Sequence, residues 1–302
     1  MKKNQILAVG SVALDSVQTP FGKAQEVLGG SAVFFSAAAR FFSSVSVVAV
    51  VGRDFPSRHW ALLRRLGVDI RGIQTRPGKT FRWKGRYGYD LNAAKTLRTD
   101  LNVFRKFKPK ILREHQSCRF IFLANIDPDI QRTVLNQIRQ PLLTACDTMN
   151  FWIEHKKASL LKLLRRMDIF LCNDSEAREF SHEHNLIKAS RWLLSQGPKI
   201  VVIKKGEHGV ICFAKSFHFA APAYPVEDVF DPTGAGDSFA GGFIGYLTRS
   251  PGLNEIHVRR AAIYGSVMAS YNVESFSLDR IVKLRRAEIN VRYKAFKKLT
   301  TF

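Results

Sequence analysis

Up to residue 205 the chain alternates apolar runs of strand length with segments of helical period. ILAVG (6–10), SVVAVVG (46–52), RFIFLAN (119–125), LLTACDT (142–148), DIFLCN (168–173) and KIVVIK (199–204) read as strands. Helices are expected near 31–42, 57–66, 128–138, 155–166 and 175–196. Near-continuous apolar strands separated by amphipathic helices predict βαβ units, and so an α/β fold with a doubly wound, mostly parallel sheet covered on both faces. Beyond 205 the rhythm changes to two short strands, GVICFA and FHFAAPAY, and then helices near 235–248, 254–271 and 277–296. One domain spanning 1–302 accommodates all of these elements.

Two stretches depart from this rhythm. Residues 12–28 and 72–90, the latter GIQTRPGKTFRWKGRYGYD, are polar and aromatic with turn residues. They predict short strands outside the main sheet that together form a small lid. Residues 91–117 form a polar, basic connection to which the pattern assigns no element.

Composition changes this picture in one respect. A chain with 46% hydrophobic and 24% charged residues can bury a sizeable core, but 47 Lys and Arg against 25 Asp and Glu leave a formal charge of +22. Anionic partners are therefore favoured, among them nucleotides, phosphorylated molecules and nucleic acid. The excess concentrates at RKFKPKILR (105–113), KLLRR (162–166) and KLRRAEINVRYKAFKK (283–298). No aromatic-interleaved repeat or DNA-binding motif accompanies these runs, which places nucleic acid behind small anions. No apolar run reaches the roughly 18–20 residues of a membrane helix. MKKNQILAVGSVALD meets Asp15 before an apolar leader could be complete, so a cytoplasmic protein is expected. Cys118, Cys146, Cys172 and Cys212 are widely spaced, which indicates neither a zinc site nor a disulfide framework.

Two apparent motifs dissolve on inspection. GIQTRPGKT ends like a phosphate loop, but five residues separate Gly72 from Gly78 where four are needed, and strand-like FRWKGRY follows. HEHNL (182–186) has Leu186 where a zinc-binding helix needs a second histidine. DPTGAGDSFAGGF (231–243) is different. Gly234, Ala235 and Gly236 leave the backbone N–H groups unshielded at the start of a helix, where the unsatisfied donors and positive dipole end suit an anion. Asp237 stands at the edge of this nest, so a phosphoryl group and a proton acceptor would be neighbours.

That string resembles the C-terminal signature of the ribokinase or PfkB carbohydrate kinase family, D-x-T-G-A-G-D followed by a small-residue helix. AVGSVALD (8–15) resembles the family's first strand with its substrate-binding aspartate, and LGGSAVFFSAAARF (28–41) its glycine pair and first helix. NDSE (173–176) resembles its N-x-x-E motif, and KKGEHG (204–209) the G-x-x-G turn near the nucleotide. The resemblance covers nearly the whole chain and implies a Rossmann-like, ribokinase-like α/β domain with a β lid. It implies ATP-dependent phosphoryl transfer to a hydroxyl of a small sugar, polyol or nucleoside. In that scheme Asp237 is the base, and Gly234, Ala235 and Gly236 stabilise the transferring group. Asp15, Gly29 and Gly30 orient the acceptor. Thr233, Asn173, Lys204, Gly206 and Gly209 belong to the ATP site, and Glu176 with Asn173 holds Mg2+ through water. Asp231 and its loop correspond to a site for a monovalent cation, K+, present in some members.

Further candidates are Asp147 and Asn150 in CDTMNFW, at a strand end and, with two residues between them, resembling at one residue longer the D-x-N of some sugar kinases, and Asn125 and Asp127 in LANIDP. In the lid, either the aromatic set Phe81 and Trp83 or the basic set Arg82 and Arg86 would face the acceptor, and the aromatic set is favoured. The alternative for this stretch is a structural one, in a homodimer formed lid to lid. Where many members carry Asn after the glycine pair, this chain has SAVFF, so Phe34 or Phe35 is expected to offer an apolar face to a ring, base or polyol. Lys204 stands where many members have Thr. Two other classes stay open, a catalytically silent kinase-like regulator and a nucleic-acid-binding role for the basic surface.

Overall fold

A computed structural model describes residues 5–250 and 252–301; the two N-terminal lysines lie outside them. In chain order the elements are β1 (Ile6–Val9), β2 (Ala13–Thr19), β3 (Gly22–Gly29), α1 (Ser31–Ala39), β4 (Val45–Gly52), α2 (Ser57–Arg65), β5 (Asp69–Arg76), β6 (Phe81–Tyr87) and β7 (Ala94–Asp100). There follow β8 (Phe120–Leu123), α3 (Pro128–Leu135), β9 (Leu143–Cys146), α4 (Asn150–His155), α5 (Lys157–Leu164), β10 (Ile169–Asn173), α6 (Asp174–Ser181), α7 (Leu186–Ser195) and β11 (Ile200–Lys204). The chain closes with β12 (Val210–Ala214), β13 (His218–Ala221), α8 (Ala235–Leu247), α9 (Glu255–Asn272), α10 (Asp279–Lys283) and α11 (Arg286–Leu299).

Nine of the described strands form one sheet in the order β13-β12-β11-β10-β9-β8-β1-β4-β5, parallel except where β12 pairs with β11 and β13. The alternation of side chains sorts each strand into two cores. Ile6 and Ala8 join α1, α8 and α9 on one face, while Leu7 and Val9 join α3, α5, α6 and α7 on the other. Burying a side chain such as Phe35, stacked on Phe122 with ring centroids 4.0 Å apart, contributes about 1.5–3 kcal/mol. The small residues of α8 let it sit between two neighbours. A methyl group on Gly241 would stand 2.4 Å from the Phe35 carbonyl oxygen, and one on Gly242 would stand 2.6 Å from that of Tyr264.

From β1 the chain moves outward through β4 to β5, then returns to β8 on the other side of β1 and proceeds through β9, β10 and β11. This reversal places a crevice beyond the carboxyl ends of β1 and β8, where open α/β sheets bind ligands. A second sheet, ordered β3-β2-β6-β7, stands over that end as the lid.

The lid differs in extent from the sequence expectation. Residues 72–76 are not part of it; they lie in β5, paired in parallel with β4 at the edge of the main sheet. They look polar because an edge strand is half solvated, and their burial falls off toward Arg76. The fourth lid strand is instead β7, inside the stretch 91–117 to which no element was assigned. Its residues are almost all exposed, so no apolar alternation announces it. The single helix expected over 277–296 is broken between α10 and α11, where Leu284 and Arg285 are extended. The helices expected near 155–166 and over 175–196 are α5 and the pair α6 and α7, with α4 as an additional short helix before α5.

Candidate functional site

Gly234 caps α8 with φ 77° and ψ 1°, a left-handed conformation that glycine adopts without penalty. It is also crowded from below, since a methyl group there would stand 2.3 Å from the Phe34 ring. The loop before it is fastened from several sides. Asp231 is buried, and its two carboxylate oxygens accept from Thr233 N–H at 2.9 Å and Ser277 N–H at 3.2 Å. Asn272 donates to the Thr233 carbonyl at 2.8 Å and accepts from Ser238 Oγ at 2.9 Å. Ala235 N–H is taken by the Pro232 carbonyl at 3.1 Å. The donors left for an anion are therefore the N–H groups of Gly234, Gly236 and Asp237, at the start of the helix, where no preceding turn supplies acceptors.

Asp237 is third in α8 and partly exposed at the foot of the crevice. Burial of its carboxyl pushes the pKa up to about 7, with Asp147 reinforcing the shift and Lys204 opposing it. Three neighbouring strands deliver the partners. Asp147 follows β9, Asn173 ends β10, and Lys204 ends β11 directly opposite Asn173. Lys204 Nζ donates to Asp147 Oδ2 at 2.7 Å, in a pair whose side chains are 17% and 5% exposed. Burial alone would lower the Lys204 pKa, but Asp147 and Glu176 hold it above the ordinary lysine value.

The N-x-x-E motif forms a capping box. Asn173 Oδ1 accepts from Glu176 N–H at 2.7 Å, and Glu176 Oε2 accepts from Asn173 N–H at 2.7 Å. Burial raises the Glu176 pKa to about 8 against the opposing pull of Lys204. The turn at Gly206 and Gly209, with φ 55° and 87°, leads from β11 into β12 on the same side.

At the other end of the crevice Asp15 is buried in β2 and accepts from Gly30 N–H at 3.3 Å. Gly29 makes room for it, since a methyl group there would stand 1.9 Å from Asp15 Oδ2. Burial raises the Asp15 pKa to about 7; the Gly30 N–H opposes this, while the charges of Asp231 and Asp237 add to it. Trp83 of β6 lies opposite Asp15 in the parallel β2–β6 register, so both point to the same face. Phe81 shares that parity, but its ring is stacked on Phe104 with centroids 5.3 Å apart, while the Tyr87 hydroxyl accepts from Thr233 Oγ1 at 3.3 Å. Arg82, of the basic set, alternates to the opposite face, where it pairs with Glu26 at 2.7 Å and Asp54 at 2.8 Å.

The structure thus groups Asp147, Glu176, Lys204, Gly236 and Asp237 at one end, and Asp15, Gly29, Gly30 and Trp83 at the other. Asn150 stands apart, donating to Glu179. Asn125 accepts from Trp152 Nε1 at 3.0 Å, and Asp127 pairs with Lys156 at 2.7 Å. The apolar acceptor face expected from Phe34 or Phe35 is absent. These side chains are 2% and 0% exposed, one beneath Gly234 and the other against Phe122, because a helix packed on both sides turns them into the core. Sequence reasoning missed Tyr87, whose spacing from Phe81 and Trp83 in FRWKGRY was the available signal. It also missed Asn92 in the β6–β7 hairpin. Asn92 donates to Glu207 Oε1 at 2.9 Å and accepts from Glu207 N–H at 3.2 Å, tying the lid tip to the Gly206 turn.

Among the described residues no group of three or more His, Cys, Asp or Glu could hold a metal ion. No described helix is long and apolar enough to cross a membrane.

Comparison with known proteins agrees with this geometry. A cytidine kinase of Thermococcus kodakarensis is 30% identical over 256 residues, covering 83% of this chain and 91% of that protein. The crystal structure of the Methanocaldococcus jannaschii nucleoside kinase superposes with a TM-score of 0.78 at 18% identity, covering 97% of this chain and 99% of that one. A putative ribokinase II from E. coli, solved in complex with ATP and Mg2+, gives a TM-score of 0.80 at 19% identity with the same coverage. The pfkB family carbohydrate kinase model matches residues 5–281, and the chain belongs to that family.

Proposed function

We propose that the protein transfers the γ-phosphoryl group of ATP to a hydroxyl of a nucleoside or of a closely related sugar or polyol. The observation that carries this reading is the placement of Asp237, one residue after the Gly236 N–H in the first turn of α8 and within electrostatic reach of Asp15, with burial pushing its pKa up to about 7. A base poised near neutrality takes up the acceptor's proton as its hydroxyl oxygen attacks. The oxygen–phosphorus bond forms, the bond to the ADP leaving oxygen breaks, and the proton rests on the Asp237 carboxylate. The backbone donors at Gly236 and Asp237 face the charge on the transferring group. Asp15 hydrogen-bonds the acceptor's hydroxyls, and Trp83 covers it from the lid. The nucleoside class is supported by the names of the cytidine and nucleoside kinases among its relatives.

The acids fit a divalent cation only indirectly. Asn173 and Glu176 are engaged in capping each other, so Mg2+ bound chiefly by nucleotide oxygens and water would meet Glu176 through its waters. When bound, it would neutralise phosphate charge.

ATP consumption measured with a panel of nucleosides, sugars and polyols tests the reading. Turnover with one acceptor class well above the acceptor-free rate is expected. Binding of ATP and acceptors without turnover of any would favour a silent regulator.

A further inference from the structure

Lys204 sits where a bare cation would be poorly placed. A methyl group on Gly236 would stand 3.2 Å from its Nζ, so the ammonium lies against the first turn of α8, the positive end of that helix. A hydrogen bond to Asp147 at 2.7 Å anchors it there, and the charges of Glu176 and Asp237 act on it as well. Two sets of donors of the same sign, the ammonium and the N–H groups of Gly236 and Asp237, therefore converge on one volume. An anion entering that volume would relieve their mutual repulsion and satisfy both. The side chain is not a sealed core group either; at 17% exposure it opens onto the crevice, with the more deeply buried Asp147 behind it.

We infer that Lys204 is the side-chain cation that grips the phosphoryl group in transfer, leaving Asp147 partly or wholly as that group arrives. The inference rests on the kinase reading above and sharpens it. It moves Asp147 from the acceptor's contacts to the lysine's support, since the strand ends of β9 and β11 bring the two together on the phosphoryl side. It also gives the position a purpose that a small hydroxyl side chain could not serve, because only a long cationic stem reaches from the end of β11 to α8. Asp147 then acts as a positioning residue, holding the ammonium in reach while the crevice is empty.

The test is nucleotide binding by calorimetry, with ADP and with a non-hydrolysable ATP analogue. A cation on the transferring group makes the protein prefer the triphosphate. Lys204→Met should reduce the triphosphate-to-diphosphate affinity ratio by about 10- to 100-fold, the scale of one hydrogen bond to a charged group. Lys204→Arg should keep most of it. Because Lys204→Met leaves Asp147 buried without its partner, the double variant Lys204→Met/Asp147→Asn provides a fold-neutral control and should show the same loss. Asp147→Asn alone should retain the preference, since the ammonium survives. An unchanged ratio in both methionine variants, or equal losses in Asp147→Asn and Lys204→Met, would overturn the assignment and leave a purely structural ion pair. Failure of the wild-type protein to bind either nucleotide would instead defeat the kinase reading itself.

Discussion

The two ends of the crevice are both built from acids withdrawn from water, and they resolve the same problem differently. At the lid end, Asp15 is surrounded by Gly30 N–H and by the charges of Asp231 and Asp237, and its pKa rises to about 7. At the α8 end, Asp147, Glu176 and Asp237 are gathered around Lys204, which opposes the upward shift of both Glu176 and Asp237. An end that carries acid without a resident cation suits a neutral molecule offering hydroxyls. One that joins an ammonium to a helix N-terminus suits an anion. The contrast teaches that substrate assignment here follows the placement of one lysine, although the chain as a whole carries a formal charge of +22.

The sharpest way to break that contrast is at Asp237, which lies between the two ends. Asp237→Asn should lower kcat by about 10² to 10⁴, the range for losing a positioned base, while nucleotide affinity measured by calorimetry changes little. Near-normal turnover would remove Asp237 from the chemistry. Acidity acts on the same group. The carboxylate must be ionised to accept a proton and its pKa is about 7, so kcat/KM should be level above pH 7 and fall about tenfold per unit below it. A profile level down to pH 5 would assign the base elsewhere.

Asp15 sharpens the comparison through stability. Its ordinary value is 3.8 and its folded value about 7. Below pH 3.8 both folded and unfolded chains hold the proton, so the burial carries no ionisation cost. Between 3.8 and about 7 only the unfolded chain ionises, and the cost to the fold grows with pH until it levels off above 7. Asp15→Asn should therefore raise Tm, and by more at pH 8 than at pH 5, while raising the acceptor KM. A Tm gain that is the same at both pH values would show that the Asp15 charge is not the source.

What was legible in the sequence divides along the same lines. At the α8 end the strand ends and the helix start follow from period and order, whereas the roles expected of Asn173, Glu176 and Lys204 came from the family resemblance, and Asp147 was expected among the acceptor's contacts, since a strand end alone does not say which neighbour its side chain will pair with. The lid was legible only in part. β6 alternates FRWKGRY and announces itself, whereas β7, AKTLRTD, is exposed almost throughout and carries no apolar period. Conversely, β5 looks like lid because its edge position leaves it polar. Phe34 shows a second limit. Its place in the chain is right for an acceptor contact, but side-chain direction on a helix packed from two sides turns it beneath Gly234.

A milder break separates the acceptor from the nucleotide within the lid. Trp83 shares the face of Asp15, and its Nε1 donates to Thr96 Oγ1 at 3.2 Å, holding the ring across β6 and β7. Trp83→Ala should raise the acceptor KM about tenfold, the effect of losing an aromatic contact of ~1.5 kcal/mol, and leave the KM for ATP near its original value. Equal effects on both would show that the ring serves the lid and not the acceptor.

The smallest expected effect comes from the lid tip. Asn92 lies outside both groups of site residues, and its two hydrogen bonds to Glu207 join the hairpin between β6 and β7 to the turn that leads from β11 to β12. The lid is anchored at its base as well, where Ser277 Oγ donates to the Leu28 carbonyl at 2.6 Å and Thr19 Oγ1 donates to that of Phe230 at 2.8 Å. Losing the tip therefore loosens the closed arrangement without detaching the lid. An exposed hydrogen bond contributes at the low end of about 0.5–1.5 kcal/mol, so losing both in Asn92→Ala should weaken closure by about fivefold. Because the latch spans both ends of the crevice, the KM values for ATP and acceptor should rise together, unlike the one-sided change at Trp83, and kcat should hold if chemistry limits turnover. A rise confined to the acceptor would mean that the hairpin closes over that end alone and that its contact with Glu207 plays no part in nucleotide retention.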